Sequence, residues 1–107
     1  MKNLKIKTIV AELRTSLEAL YGDRLVTMIL FGSHARGDAE PGSDIDVLVV
    51  LKEPVSPGTE ITRTSEIRSQ LSLKYDVVVS CTYVSAERYT TEQSPLLINI
   101  RREGVPA

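Results

Sequence analysis

The sequence has few of the residues that build cross-links or metal–thiolate sites. Of its 107 residues one is cysteine, Cys81, and one is histidine, His34. A lone cysteine excludes an intramolecular disulfide and a thiolate metal cluster. We therefore expect a reducing, cytoplasmic setting and interpret Cys81 as a core residue.

Long apolar runs and runs of basic charge are lacking as well. No segment approaches the roughly 18 apolar residues of a membrane span, and the N-terminal MKNLKIKTIVAELRTSLEALYG is interrupted by charges throughout, unlike a signal peptide. No Lys/Arg run exceeds two residues and the formal net charge is −1, so direct binding of nucleic acid is not expected. We predict a protein without membrane attachment that acts on a small or a protein substrate.

What is present is the composition of a folded domain. Hydrophobic residues make up 42% of the sequence and charged residues 25%, which disfavours disorder. The length allows one hydrophobic core but no second lobe. The expectation is therefore a single domain over residues 1–107.

Hydrophobic periodicity predicts the order helix, strand, strand, helix, strand, helix. The predicted strands cover residues 24–31, 44–51 and 75–84. The predicted helices cover residues 4–21, 60–73 and 95–103, with a short one at 85–91 capped by Ser85. Ser94-Pro95 is typical of a helix start and Gly104 of a helix end. This order favours a small α/β (α+β) sheet with helices on one face or both.

Two acids interrupt the second strand. Asp44 and Asp46 lie in SDIDVLVVL, where the surrounding residues are those of a buried strand. Alternation places both side chains on one face, with Cα atoms about 7 Å apart. Two carboxylates this close repel each other unless a cation lies between them. Oxygen ligands without a histidine or cysteine partner favour Mg²⁺.

A third acid begins the next apolar run. Asp76 precedes VVVS at the edge of the third predicted strand. If that strand pairs beside residues 44–51, three carboxylates converge, as a two-metal site for phosphoryl or nucleotidyl transfer requires.

The segment FGSHARG precedes the paired acids and could bind phosphate. Gly32 permits close approach of the backbone, and Ser33 offers a hydroxyl. A helical turn beginning there would direct free N–H groups at phosphate oxygens. Arg36 adds a cationic fork, although Asp38 or Glu40 could pair with it instead.

Together these residues resemble a known signature. Gly32-Ser33, ten further residues and Asp44-Ile45-Asp46 resemble the GSx10DxD motif of nucleotidyltransferases of the DNA-polymerase-β-like superfamily. The longer segment GSHARGDAEPGSDIDVLV is similar to the minimal nucleotidyltransferases (MNT) of prokaryotes. The resemblance covers residues 31–50 and extends more weakly to Asp76 and to the ending SPLLINIRREGV. It implies the nucleotidyltransferase fold, a small mixed sheet flanked by helices.

The resemblance also implies roles for the matching residues. Gly32 and Ser33 would hold the β- and γ-phosphates of ATP. Asp44 and Asp46 would bind two Mg²⁺ ions, and Asp76 would be the third catalytic carboxylate, a ligand of the catalytic metal. Glu60 and Glu66 are rivals for that third position, but both fall in a predicted helix.

The implied reaction is in-line attack of an acceptor hydroxyl on the α-phosphorus of ATP, with pyrophosphate leaving. Minimal nucleotidyltransferases resemble this chain in being short, and they act as antitoxins that adenylylate a tyrosine of a HEPN-type RNase toxin. An open active face implies that a second chain completes the site, as a homodimer or a complex with the toxin.

Two other functions stay open at this point. A catalytically idle antitoxin would neutralise its partner by binding alone. A small-molecule nucleotidyltransferase, such as one that modifies an antibiotic, would need substrate-binding structure beyond this length. A template-directed polymerase is disfavoured because the basic charge for a duplex is missing.

Several residues favour plainer interpretations. An EF-hand needs a further Asp or Asn two residues after Asp46, followed by Gly, and the chain has Leu48 and Val49 there. His34 lies outside the fixed positions of the signature, and the mechanism needs no histidine. Ser43 is interpreted as organising the turn into the strand.

Overall fold

The first helix precedes the sheet and covers one face of it. The protein is described by a computed structural model over residues 2–107, with the backbone alone for residues 2–4. Helix α1 runs Lys2–Tyr21, and a 3-10 turn at Gly22–Arg24 leads out of it. Ile9, Leu13 and Leu17 recur at four-residue spacing and are fully buried, which confirms the predicted amphipathic helix.

Four strands form a mixed sheet in the order β3-β2-β1-β4. The strands are β1 (Leu25–Phe31), β2 (Ile45–Leu51), β3 (Val79–Ser85) and β4 (Val105–Pro106). Strand β2 pairs antiparallel with β1 and parallel with β3, and β4 pairs antiparallel with β1. The three long strands were predicted, whereas the two residues of β4 are too few to give a periodic signal.

Apart from Asp46, strand β2 is apolar, because both of its faces are covered. One core cluster lies on the α1 side and includes Val47 and Val49. A second cluster lies on the other face and includes Leu48 and Val50. Position 46 belongs to the second face by alternation, so a carboxylate there lies on the side opposite α1.

Five shorter helices connect the strands. They are α2 (Ser33–Arg36), α3 (Pro57–Arg63), α4 (Ser65–Tyr75), α5 (Ala86–Thr91) and α6 (Pro95–Glu103). Ser85 and Ser94 cap α5 and α6 by accepting bonds from the N–H groups of Arg88 and Leu97, as predicted. Helix α6 ends at Glu103, before Gly104, which is also as predicted.

The single helix predicted over residues 60–73 is wrong. Two helices, α3 and α4, meet at Thr64, whose φ/ψ of −102°/4° are not helical. The hydroxyl of Thr64 donates to the carbonyl of Glu60 at 2.9 Å and also contacts the hydroxyl of Tyr83 on β3. A buried tertiary contact therefore sets the break, and the sequence pattern does not show it.

The start of the third strand was also predicted too early. Helix α4 continues through Tyr75, and Asp76 ends it in the left-handed conformation, with φ/ψ of 55°/52°. Strand β3 begins only at Val79. The left-handed turn after a helix is usually glycine, so an aspartate at this position concealed the helix end.

Helices flank both faces of the mixed sheet, which confirms the predicted fold class. Helices α1 and α4 contribute to the first cluster, and α6 contributes Leu97 and Ile100 to the second. Within residues 2–107, no helix combines the length and apolar character that a membrane crossing needs.

Candidate active site

The paired acids lie at the N-terminal end of β2, as predicted. Asp44 is exposed just before the strand, and Asp46 is half-buried as its second residue. Asp46 pairs across the sheet with Phe31, the last residue of β1. The two carboxylates share one face and one end of the sheet, the end at which β1 leads into α2.

Electrostatics at Asp46 favour a cation. Burial raises the pKa of the Asp46 carboxyl above its ordinary value, and the neighbouring charge of Asp44 raises it further. His34 and Arg36 lower that pKa by smaller amounts. Burial and the negative charge of Asp44 both disfavour the charged form of Asp46, and their effect on its pKa exceeds that of the two basic residues. A divalent cation between the acids would therefore stabilise both carboxylates.

Gly32 is held against Asp46 so closely that a side chain does not fit. Its φ/ψ of 77°/−156° lie in a region that is essentially restricted to glycine. A Cβ built on Gly32 would lie 2.5 Å from Oδ2 of Asp46. The carboxylate of Asp46 on β2 therefore packs directly against the backbone of the loop that follows β1.

Helix α2 starts directly after this contact. Gly32 is its N-cap and accepts hydrogen bonds from the N–H groups of Ala35 and Arg36. Because glycine has no side chain, the cap offers no oxygen to the first N–H groups of the turn. Ser33 is the first residue of α2 and follows Gly32 directly in the chain.

Arg36 forms its ion pairs with acids other than Asp44 and Asp46 in this structure. Its Nε donates to Oδ2 of Asp38 at 3.2 Å, and its Nη1 lies 3.7 Å from Oε1 of Glu103. Of the two acids that the sequence offered as ion-pair partners of Arg36, the structure shows Asp38 and not Glu40. Glu103 is an additional partner. Because the guanidinium is exposed, these ion pairs are weak and a phosphate could displace them.

His34 and Ser43 hold the loop that carries Asp44. Nε2 of His34 lies 3.2 Å from the carbonyl oxygen of Ser43, a hydrogen bond across the loop. Oγ of Ser43 accepts a bond from the N–H of Glu40 at 2.9 Å, and the N–H of Ser43 donates to the Glu40 carbonyl at 3.0 Å. The interpretation of Ser43 as a turn-organising residue is confirmed.

Asp76 lies in the connection from α4 to β3, near the loop that carries Asp44. It is exposed at the end of α4, two residues before Val78, whose carbonyl accepts from the N–H of Ile45. It borders a cavity of about 510 Å³ together with His34 and the loop, next to Lys5 of α1. Over residues 2–107, no three His, Cys, Asp or Glu side chains are grouped closely enough to hold a metal ion. Because β3 starts later than predicted, Asp76 lies before the strand and not at its edge, and its role as a third carboxylate stays a prediction.

Neither rival for the third position reaches the site. Glu60 is buried at the opposite end of the sheet, where Tyr21 donates to it at 2.7 Å and Arg24 and Arg63 lie within 3.6 Å. Glu66 is exposed on α4 and accepts a bond from Gln70.

Sequence analysis did not single out the residue that stands beside Asp46 in β3. In the parallel register of β2 and β3, Asp46 pairs with Ser80. Only the register identifies Ser80, because SCTYV contains no motif. Carboxylates with neighbouring hydroxyls are oxygen donors, the ligands that Mg²⁺ prefers. The donors present therefore fit a divalent cation.

The family match covers most of the chain. The family described as "Nucleotidyltransferase domain" matches residues 10–106. A Methanocaldococcus jannaschii protein that is named as a candidate protein adenylyltransferase is 39% identical over 77 residues, which is 72% of this chain and 77% of that protein.

Solved structures share the fold. A candidate minimal nucleotidyltransferase is 28% identical with a TM-score of 0.59, over 99% of this chain and 94% of that one. A toxin–antitoxin complex with AMP-PNP contains a chain that aligns with a TM-score of 0.61 at 19% identity, over 88% of this chain and 68% of that one. The second likeness shows the fold alone. The chain therefore belongs to the nucleotidyltransferase domain family, which confirms the enzyme class that Gly32-Ser33 and Asp44-Ile45-Asp46 predicted.

Proposed function

We propose that the chain is a Mg²⁺-dependent adenylyltransferase that moves AMP from ATP to a hydroxyl of a partner protein. The observation that carries the proposal is the contact between Gly32 and Asp46, where a Cβ built on the glycine would lie 2.5 Å from the carboxylate. This contact brings the predicted phosphate-binding motif next to the paired acids. Because Gly32 has no side chain, the carboxylate of Asp46 can lie directly against the loop that would hold the phosphates. Asp44 and Asp46 are the residues that would hold the two Mg²⁺ ions.

The phosphates of ATP are assigned to the start of α2. The backbone of Gly32 and the hydroxyl of Ser33 would receive the β- and γ-phosphates beside the paired acids. Arg36 would exchange its exposed contact with Asp38 for a phosphate oxygen, because a guanidinium binds phosphate with two parallel hydrogen bonds. This assignment places the α-phosphorus next to Asp46, at the open end of the sheet.

The reaction makes one bond and breaks one. The acceptor oxygen attacks the α-phosphorus, the bond from that phosphorus to the bridging oxygen of pyrophosphate breaks, and the hydroxyl proton passes to water. The metal ions supply stabilisation of the attacking and leaving oxygens. Asp44 and Asp46 would hold the metal ions at the α-phosphate, and the Gly32 backbone with Ser33 would hold the leaving group in line.

We further propose a toxin as the acceptor protein, with a tyrosine of a HEPN-type RNase as the modified residue. Support comes from the M. jannaschii relative, named as a candidate protein adenylyltransferase, and from fold neighbours solved as toxin–antitoxin complexes. The exposed position of Asp44 and the open sheet end leave room for a second chain to bring its hydroxyl. The toxin itself, or a second copy of this chain, would then complete the site in the cytoplasm.

The test is label transfer from ATP carrying ³²P at the α-phosphate to the purified toxin that accompanies this chain. We expect Mg²⁺-dependent labelling that disappears in the Asp44→Ala, Asp46→Ala double variant. A variant with Asp23→Ala and Glu87→Ala removes the same two charges from exposed positions elsewhere, and it should label at the wild-type rate.

Two outcomes would contradict the proposal. If the double variant at Asp44 and Asp46 still neutralises the toxin at matched expression, and wild type transfers no label, the chain is an antitoxin that acts by binding alone. If label accumulates on a small hydroxyl compound and not on the toxin, the acceptor is a small molecule.

A further inference from the structure

The loop from Gly37 to Asp44 is held in place by few contacts. None of its residues is buried. Gly37 and Gly42 both have a positive φ of 85°, with open space where a Cβ would lie. The hydrogen bonds between Glu40 and Ser43 stay within the loop. The position of Asp44 therefore depends on bonds from the loop to other segments.

One side chain outside the loop supplies such a bond. Nε2 of His34 lies 3.2 Å from the carbonyl oxygen of Ser43, and since a carbonyl can only accept, the ring nitrogen is the donor. In the part of the chain that the structure describes, no other hydrogen bond or ion pair joins residues 39–43 to the rest of the protein. His34 is thus the single polar anchor of this segment.

Asp44 is fixed from both sides by backbone bonds of its neighbours. On one side the N–H of Ile45 donates to the carbonyl of Val78 at 2.9 Å. On the other side the carbonyl of Ser43 accepts from His34. Without the second bond, Asp44 would be attached to a fixed segment at Ile45 alone and would move with an exposed loop.

We propose that His34 is a positioning residue of the transfer reaction, because its hydrogen bond to Ser43 holds Asp44 in place relative to the start of α2. This inference rests on the proposed function. His34 follows Ser33 directly in the chain, so the bond joins the turn assigned to the phosphates to an acid assigned to the metal ions. The imidazole acts as a neutral donor, and it neither transfers a proton nor binds a metal ion.

The first test measures Mn²⁺ binding by calorimetry, in the presence of an ATP analogue that cannot be cleaved between the α- and β-phosphates. His34→Leu keeps the bulk of the side chain but has no donor. It should weaken Mn²⁺ binding about fivefold, the factor that corresponds to one net hydrogen bond. His34→Gln should bind within about twofold of wild type, because its amide nitrogen is as many bonds from Cβ as Nε2 of histidine and also donates.

Tyr21→Phe is the control for a general loss of stability. It removes a buried hydrogen bond to Glu60 at the other end of the sheet and should leave the Mn²⁺ affinity unchanged. In the label-transfer assay, His34→Leu should raise the Mg²⁺ concentration for half-maximal rate by about the same factor as it weakens Mn²⁺ binding. The rate at saturating Mg²⁺ should fall by less, whereas partial unfolding would lower that rate alone.

Hydrogen exchange followed by mass spectrometry tests the anchor without metal, nucleotide or toxin. The backbone amides of Glu40 and Ser43 both donate within the loop. They should exchange faster in His34→Leu than in wild type, and His34→Gln should restore their protection. Unchanged exchange in His34→Leu would show that the bond does not hold the loop and would overturn the inference.

Two further results separate the possible failures. If His34→Leu binds Mn²⁺ as tightly as wild type, or if His34→Gln is as weak as His34→Leu, the role of His34 as a positioning donor is overturned while the proposed function stands. If wild type binds no Mn²⁺ that the Asp44→Asn, Asp46→Asn variant loses, the proposed function fails, and this inference fails with it.

Discussion

Replacing Gly32 with alanine tests the contact on which the site is built. The residue has φ/ψ of 77°/−156°, a combination that costs a non-glycine residue of order 1–3 kcal/mol. The added methyl would also lie 2.5 Å from Oδ2 of Asp46 and 3.3 Å from its Cγ. Gly32→Ala therefore strains the backbone and displaces the carboxylate in one step.

The two consequences differ in size. Because the crowded atom is the far end of a side chain, Asp46 can turn away, and the stability cost stays near the backbone term, about 2 kcal/mol. The carboxylate must retreat by roughly 0.9 Å or more to reach an ordinary contact. A displacement approaching 1 Å at a reacting centre can cost about a hundredfold in rate. We expect transfer to fall by about that factor in molecules that remain folded.

Urea denaturation followed by fluorescence or circular dichroism gives the stability change, and initial rates of label transfer give the activity. Gly22→Ala is the matched control, since Gly22 also has a positive φ of 55° but nothing within 4 Å of a built Cβ. It should cost about 1 kcal/mol without changing the transfer rate. A Gly32→Ala variant that matches wild type in rate, or loses no more activity than Gly22→Ala, would refute the role given to this contact.

Two further predictions concern residues away from the site. Tyr21→Phe removes the hydroxyl that donates to buried Glu60 at 2.7 Å and should lower the free energy of unfolding by about 1–2 kcal/mol. The rate of label transfer should stay unchanged, because this hydrogen bond lies at the other end of the sheet. A lower transfer rate, measured where the variant is as fully folded as wild type, would contradict that separation. Burial raises the pKa of Cys81 to about 11, so at pH 8 its thiolate fraction falls roughly a hundredfold below that of an unperturbed thiol. Ellman's reagent should react correspondingly slowly with the native protein and rapidly in denaturant, whereas equal rates would show that the thiol is not protected.

Local patterns predict much of the fold, because they report on short-range physics. The four-residue recurrence of Ile9, Leu13 and Leu17 is enough to define α1. Ser94-Pro95 and Gly104 mark the bounds of α6, because the cap, the fixed φ of proline and the helix stop are all local effects.

Tertiary contacts decide the features that the sequence pattern misses. The helix break at Thr64 depends on Tyr83, nineteen residues away in the chain. The start of β3 depends on a left-handed residue that is aspartate and not glycine. Apolar residues after Asp76 fit the end of a connection as well as the beginning of a strand, so periodicity cannot place the boundary.

In the candidate site, too, local motifs are predicted from the sequence and contacts between distant segments are not. The sequence predicts that Gly32 permits close approach of the backbone, but its contact with Asp46 follows from the pairing of β1 with β2. The neighbour of Asp46 in β3 follows from the register of two strands separated by α3 and α4, and no local signal contains it. Asp76 is recognised from the sequence because it is an acid before an apolar run, whereas the position of Ser80 beside Asp46 is given only by the register.

The most direct test of the central claim uses ATP labelled in two positions. In the proposed reaction the bond between the α-phosphorus and the pyrophosphate oxygen breaks, and Asp44 and Asp46 would hold the metal ions at that phosphorus. With the toxin as acceptor, label from the α-phosphate should become protein-bound, label from the γ-phosphate should appear in pyrophosphate, and both should vanish in the Asp44→Asn, Asp46→Asn variant. Transfer of the γ-label to the acceptor, or α-label transfer that survives in that variant, would contradict the account.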